Sequence, residues 1–477
     1  MSAPMLPIRA SVLAFLMSGA SALAAFTTEI VFFDMPQNLL RQVIPAPSAQ
    51  LAALPGYPNN PNQLTLAAQI YVPDVNIHGN GPFPAVIFLH GSGGNWSNDL
   101  IANGPLSHLE QWGEMLADLG FVALLVDSYN PRGIDGNFGS RRPSYDPLVD
   151  DDLCSPNYER PKDVVAALTY LAGRGDIDTE NIGLIGFSHG AQTGMNAVLD
   201  ASVDLGTYEV SYVDLVAVKN TNPVQYVEET VMKEVDSPVR IPDNLPFPKF
   251  GAFYYGGGSH YRYHGQASSI AAGRYMLDRR MQVLVFHGTE DSLMGIANPN
   301  VTPMTGTLYP MKQLLSSSLQ AQAEGVDDPL KHHFIFDLAE HSFDLATLAA
   351  EVDWNTINED ADQKAKRLAR VEVLKWLEYC LRPGPAVSMA PQPSPGMVDL
   401  TTNTNASLHY QWHYSDDLSA WFPLGSDFDG DGNTSITETT LGGNDTRFFY
   451  LDYQPIEPPF DDPDNAGFFR DYSDFSY

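Results

Sequence analysis

Four apolar runs, each cut off by a glycine-rich or acidic turn, limit what this chain can become. They are "AVIFLHGSGG" at 85–94, "VALLVD" at 122–127, "IGLIGFSHG" at 182–190 and "VLVFHGTED" at 283–291. A strand that is apolar at every position is buried on both faces, as at the centre of a mainly parallel sheet. Helical segments lie between the runs. In "LSHLEQWGEMLADLGF", Leu109, Trp112, Leu116 and Leu119 recur at three- and four-residue steps. "RPKDVVAALTYLAGRG" has Pro161 near its start and Gly173 or Gly175 near its end. This alternation predicts an α/β fold with a mainly parallel sheet. "FGAFYYGG" and "KHHFIFDLAEHSF" extend the sheet, and "DQKAKRLARVEVLKWLEYCL" closes it with a helix.

The 477 residues allow about two to four domains. Residues 1–25 read as a secretory signal: Arg9 supplies the positive start, 10–23 are apolar and small, and "SALAA" at 21–25 suits cleavage. The catalytic-type α/β unit is placed at 26–382. Within it, 201–248 breaks the alternation and reads as a lid or insertion. "RPGPAVSMAPQPSPG" marks a Pro-rich linker at 383–399. Alternating aromatic and polar residues predict a small β module at 400–455, followed by an acidic tail at 456–477 that is expected to be poorly ordered, although its aromatics leave docking open. No other segment is long and apolar enough to span a membrane. The net charge of -32 excludes a nucleic-acid partner, because phosphate binding needs a basic surface. Export places the chain in a secreted or periplasmic compartment. There Cys154 and Cys380 have the option of a disulfide, which their spacing neither requires nor forbids.

Gly186-Phe187-Ser188-His189-Gly190 follows a buried strand and precedes a helix. That is the context in which a serine on a sharp turn becomes an exposed nucleophile. Such a serine needs a histidine to take its proton and a carboxylate to orient the histidine. Parallel strands bring their C-terminal ends to one edge of the sheet. The loop after "MQVLVF" brings Glu290 and Asp291 to that edge, and the loop after "HHFIF" brings His341. His332 and His333 open their strand and so lie at the opposite edge, while His287 reads as structural. An oxyanion hole also needs two donors. The "HGSGG" loop and the helix start suggest the backbone N–H groups of Ser92 and His189. The side chain of His189 then has a lining or packing role.

Together, "LHGSGG", "VDSYNPRG", "RPKDVVAALTYL", "IGLIGFSHGA", "VLVFHGTED" and "AEHSF" resemble the dienelactone hydrolase family of α/β-hydrolases, in its serine-bearing exported branch. The resemblance covers roughly 60–382. It implies an α/β-hydrolase fold with Ser188 as nucleophile, Asp291 as acid and His341 as base, and no cofactor for the chemistry. Three features depart from the family: a serine replaces the name-giving cysteine, Ser342 stands where glycine is usual, and 201–248 is inserted. Tyr129 and Arg132 in "DSYNPRG", with Tyr255 in the aromatic cluster Phe253–Gly265, are candidate substrate contacts. For Arg132 a loop tie is the competing role, and for the cluster it is packing.

"DFDGDGNTSITE" places Asp427, Asp429, Asp431, Asn433, Ser435 and Glu438 at the ligand positions of an EF-hand-type calcium loop, with Gly432 at the turn. Its flanks are not helical, so Ca²⁺ is expected in a loop within the β module. The expectation is thus an exported serine esterase acting on a small-molecule or polymeric ester, with a surface or polymer contact through the C-terminal module. A serine peptidase is the alternative within the hydrolases. A non-catalytic, calcium-dependent surface-binding protein is the alternative outside them.

Overall fold

The computed structural model describes residues 26–40, 44–134, 153–154, 156, 159–198, 207–217, 226–236, 240–255, 278, 280–291, 331–336, 338–346 and 360–382. Beyond these it describes strands at 387–391, 397–403, 408–415, 422–429, 434–440, 448–455 and 469–471. The signal segment 1–25, the aromatic cluster beyond Tyr255 and most of the acidic tail lie outside the described residues. The chain divides into two compact units. One comprises 22–347, 359–367 and 467–477; the other is chiefly 368–466.

The first unit is built on a nine-stranded sheet in the order β1-β2-β4-β3-β5-β8-β9-β10-β17. Its strands are β1 (Phe26–Asp34), β2 (Thr65–Pro73), β3 (Phe83–Leu89), β4 (Val122–Asp127), β5 (Ile177–Phe187), β8 (Phe250–Tyr254), β9 (Gln282–Gly288), β10 (Lys331–Phe336) and β17 (Phe469–Asp471). β4, β3, β5, β8, β9 and β10 run parallel. β1 pairs antiparallel with β2, and β2 antiparallel with β4. The result is the mainly parallel α/β sheet that the alternation of apolar runs and helices predicts.

The apolar runs occupy the middle of the sheet. Every residue of β4, β8 and β9 is buried, as expected for strands covered on both faces. The first four residues of β1, at the edge, leave their side chains partly or fully exposed. Helix α1 (Ser107–Asp118) turns Leu109, Trp112 and Leu116 inward, at the spacing seen in the sequence. Helix α2 (Pro161–Ala172) has Pro161 in its first turn, where the missing N–H costs nothing. Helix α3 (His189–Ala197) follows β5 after a single intervening residue. The expected lid region contains β6 (Thr207–Ala217) and β7 (Tyr226–Asp236), which pair only with each other among the described strands. Of helix α4 (Ala361–Leu381), residues 361–367 belong to the first unit and the rest to the second.

In the second unit, β11 (Val387–Pro391), β12 (Met397–Asn403) and β15 (Thr434–Thr440) form one three-stranded sheet. β14 (Phe422–Asp429), β13 (Leu408–Ser415) and β16 (Phe448–Pro455) form another. The linker expected at 383–399 is therefore corrected: 387–391 and the start of β12 are paired strand. Proline is compatible with the strand end it occupies at Pro391. Within the tail, Phe469–Asp471 pairs antiparallel with Phe334–Phe336 at the edge of the main sheet, the docking that its aromatics left open.

Candidate active site

Ser188 occupies the single residue between β5 and α3, with φ 50 and ψ -113. A non-glycine residue rarely adopts this backbone, and holding it there costs of order 1–3 kcal/mol. The surroundings impose it. The Ser188 N–H donates to the Tyr254 carbonyl at 2.8 Å, and its carbonyl accepts from the Gln192 N–H at 3.1 Å. The turn is also too tight for a side chain at Gly190, where a Cβ would sit 2.0 Å from the Leu89 carbonyl oxygen. The glycine after the serine is thus a packing requirement between α3 and the end of β3.

The loops after β9 and β10 are joined by hydrogen bonds. The Leu338 N–H donates to Thr289 Oγ1 at 2.8 Å, and the Glu290 N–H donates to the Ala339 carbonyl at 3.0 Å. A Cβ at Gly288 would lie 2.0 Å from that same carbonyl, so the loops meet closely only because a glycine ends β9. The join brings His341 Nδ1 to 2.8 Å from Asp291 Oδ2, and His341 Nε2 to 3.1 Å from Ser188 Oγ. The Asp291 side chain is fully buried and that of His341 is 11% exposed. With Nδ1 facing the carboxylate, the ring proton belongs there, and the Nε2 lone pair faces the serine hydroxyl. Of the two carboxylates left open by the loop sequence, Asp291 is the one that meets the histidine. Ser342, where the family usually has glycine, takes φ 69, a left-handed conformation that serine tolerates less well.

The "HGSGG" loop lies against the serine turn: a Cβ on Gly91 would be 3.6 Å from Ser188 Cβ. Ser92 is exposed beside it, and His189 opens α3, where helix N–H groups carry partial positive charge. Both expected oxyanion donors therefore belong to backbone that flanks the nucleophile.

The three candidate substrate contacts are buried. Tyr129 is 1%, Arg132 2% and Tyr255 1% exposed. Arg132 makes a two-pronged ion pair with Asp163, at 2.7 and 3.1 Å, and also donates to the Ser128 carbonyl at 2.8 Å. It is a loop tie. The Tyr255 ring packs 4.6 Å from the His341 imidazole, and its hydroxyl accepts from the Asp344 N–H at 3.2 Å, so it supports the histidine loop. The loop after β4 is held by Asp127, which accepts from Trp96 Nε1, both nitrogens of Asn130 and the Tyr129 N–H.

A buried polar cluster behind the serine was not anticipated. The Arg160 guanidinium donates to His189 Nδ1 at 2.6 Å and to the His90 carbonyl at 2.8 Å. His90 Nδ1 lies 2.7 Å from the Gly91 carbonyl, and Nε2 accepts from the Ser128 N–H at 3.1 Å. Burial, with the Arg160 charge alongside, holds both imidazoles well below the ordinary histidine range, so both are neutral. "RPKD" signals only a helix start, and nothing in it tells that Arg160 faces inward.

Cys154 is a buried thiol beside Tyr129 and Ile134, and Cys380 is a half-buried thiol on α4. Of the calcium-type residues, Asp427 and Asp429 end β14 while Ser435 and Glu438 lie on β15. Asp431 and Asn433 fall outside the described residues. No helix among the described residues is long and apolar enough to cross a membrane.

No family model matches this chain, and no curated protein does. Among solved structures, it is similar to a dienelactone hydrolase-like promiscuous phosphotriesterase from metagenomic libraries. The two share 15% identity over 75% of this chain and 100% of that one, with a TM-score of 0.38. A thermophilic esterase from Thermogutta terrifontis matches at 15% identity over 67% and 90% of the two chains, with a TM-score of 0.36. Dipeptidyl peptidase 4 of Porphyromonas gingivalis matches at 17% identity over 58% of this chain, with a TM-score of 0.32; the match spans 31% of the peptidase.

Proposed function

We propose that this chain is an exported serine hydrolase that cleaves carboxylic esters through an acyl-enzyme. The observation that carries the proposal is the hydrogen-bonded series Ser188 Oγ, His341 Nε2, His341 Nδ1, Asp291 Oδ2. Ser188 Oγ attacks the ester carbonyl as His341 Nε2 takes its proton. Asp291 stabilises the imidazolium that forms. The carbonyl oxygen gains the negative charge and is met by the N–H groups of Ser92 and His189. Collapse of the tetrahedral adduct expels the alkoxide, which His341 protonates. Water then attacks the acyl-enzyme, giving its proton to His341, and the acid leaves with Ser188 restored. No cofactor takes part in these steps.

The test is turnover of p-nitrophenyl acetate and butyrate by the full chain and by Ser188→Ala. Turnover that is lost in the variant supports the proposal, and no turnover of any activated ester sinks it. Peptide p-nitroanilides run in parallel: faster cleavage of these than of the esters replaces the esterase reading with a peptidase.

The proposal also includes Ca²⁺ held by Asp427, Asp429, Asp431, Asn433, Ser435 and Glu438, since six oxygen donors around a turn glycine suit a hard cation. Ca²⁺ should raise a melting transition of the full chain and a chelator should lower it. In Asp429→Asn the shift should shrink while ester turnover is unchanged. A melt indifferent to Ca²⁺ removes this part.

A further inference from the structure

Arg160 is an unusual residue to bury. It is 0% exposed, and its guanidinium meets no carboxylate among the described residues. Asp163, one turn along α2, is already paired with Arg132. Arg160 Nε is buried without a hydrogen-bond partner. The residue also stands at the start of α2, the helix end that disfavours a cation. A buried charge that no carboxylate among the described residues bonds directly is destabilising, so its retention at this place calls for a benefit elsewhere.

Its two partners indicate where. His189 is the residue after the nucleophile, and its N–H is one of the two donors assigned to the oxyanion. His90 immediately precedes Gly91 and Ser92, the turn assigned the other donor. One guanidinium therefore spans the two segments whose separation sets the distance between the donors. Its planar fork can hold both at once, which a single ammonium cannot do as well. Tyr129 closes the far side, with its ring centroid 5.5 Å from the guanidinium carbon. The hydrogen-bond partners of Arg160 are an imidazole nitrogen and a carbonyl oxygen, and neither brings a negative charge. The Arg160 charge is buried beside the two segments that carry the donors.

We propose that Arg160 is the positioning residue of the oxyanion hole, bridging His189 and His90 so that the two donor segments are held in register and backed by a buried positive charge. The inference rests on the serine hydrolase reading above and deepens it. It adds no bond-making step. Its effect belongs to the tetrahedral state, where the oxygen is charged, more than to the bound ester, where it is not.

The test compares wild type, Arg160→Met and Arg160→Lys. Three quantities are measured: kcat and KM for p-nitrophenyl acetate, the inhibition constant of an aryl trifluoromethyl ketone whose serine adduct carries an oxyanion, and the melting temperature. Arg160→Met should lower kcat by about 100-fold, the scale of one oxyanion donor. KM should stay within about threefold, and ketone affinity should fall by the same factor as kcat/KM. Arg160→Lys should recover part of both losses. A purely structural role predicts a lower melting temperature with ketone affinity and KM changing together. Should Arg160→Met not fold, Arg160→Lys decides: ketone affinity equal to wild type overturns the proposal, and so does wild-type behaviour in a folded Arg160→Met. A fluorophosphonate that fails to label Ser188 in the wild type would instead remove the hydrolase reading, and this inference with it.

Discussion

At Ser188 the backbone and the side chain make opposing demands. The hydroxyl has to stand clear of the sheet to reach His341, and only a positive φ on a non-glycine residue allows that in so short a turn. The strain is offset by neighbours the sequence already displays, since Gly190 lets the helix sit against β3. Asp291 illustrates the same economy, because its burial leaves the carboxylate to orient one imidazole. Asp291→Asn should lower kcat by about 10³–10⁴-fold with KM little changed, because an amide no longer enforces the Nδ1–H tautomer. Steady-state kinetics on an activated ester checks this. Arg132 and Asp163 form a fully buried two-pronged pair. Arg132→Met and Asp163→Leu should each destabilise by about 3–5 kcal/mol, since each strands a buried charge, and the double variant by less than their sum. Urea unfolding of the three variants measures the coupling, and simple additivity would count against a direct ion pair.

At the scale of elements, strands and helices were legible because their causes are local. The periods of apolar residues placed α1, α2 and the central strands, and the Ser-Gly pattern placed the turn after β5. Elements whose partners are remote were harder to see. Val387–Pro391 sits in a Pro-rich stretch and becomes strand only by pairing with β12. Phe469–Asp471 is surrounded by acidic residues and becomes strand only against β10. This last strand covers an edge that would otherwise expose unpaired N–H and C=O groups. Ending the chain before Gly467 should uncover the β10 edge. Size-exclusion chromatography should then show self-association that the full chain lacks, and a monodisperse truncated protein would deny β17 this role.

At the scale of the whole molecule, stability should depend on pH through the two buried imidazoles. His90 and His189 have folded-state values well below about 6.5, so the unfolded chain binds their protons more readily than the folded chain does. Their contribution is complete above the unfolded value and is lost as pH falls from there toward the folded values. Melting temperature should therefore drop between about pH 6.5 and 5, more gently in His189→Asn. An unchanged slope in that variant would mean that His189 does not contribute. The same cluster shows what chain order could not convey. Serine, acid and histidine followed in the expected order, each after a predicted strand, so their meeting could be read from topology. Whether an arginine faces a substrate or a buried aspartate depends on which side chains surround it, and those come from different elements.

The central strands, the turn at Ser188 and the loops that carry Asp291 and His341 are legible from the chain alone. Each follows from residue type at short range, together with the rule that parallel strands end together. That Asp291 rather than Glu290 meets His341, that Tyr129, Arg132 and Tyr255 are buried, and that Arg160 bonds both His189 and His90 emerges from the assembled fold. These outcomes depend on distances of a few ångströms between residues remote in the chain, and no local pattern encodes them.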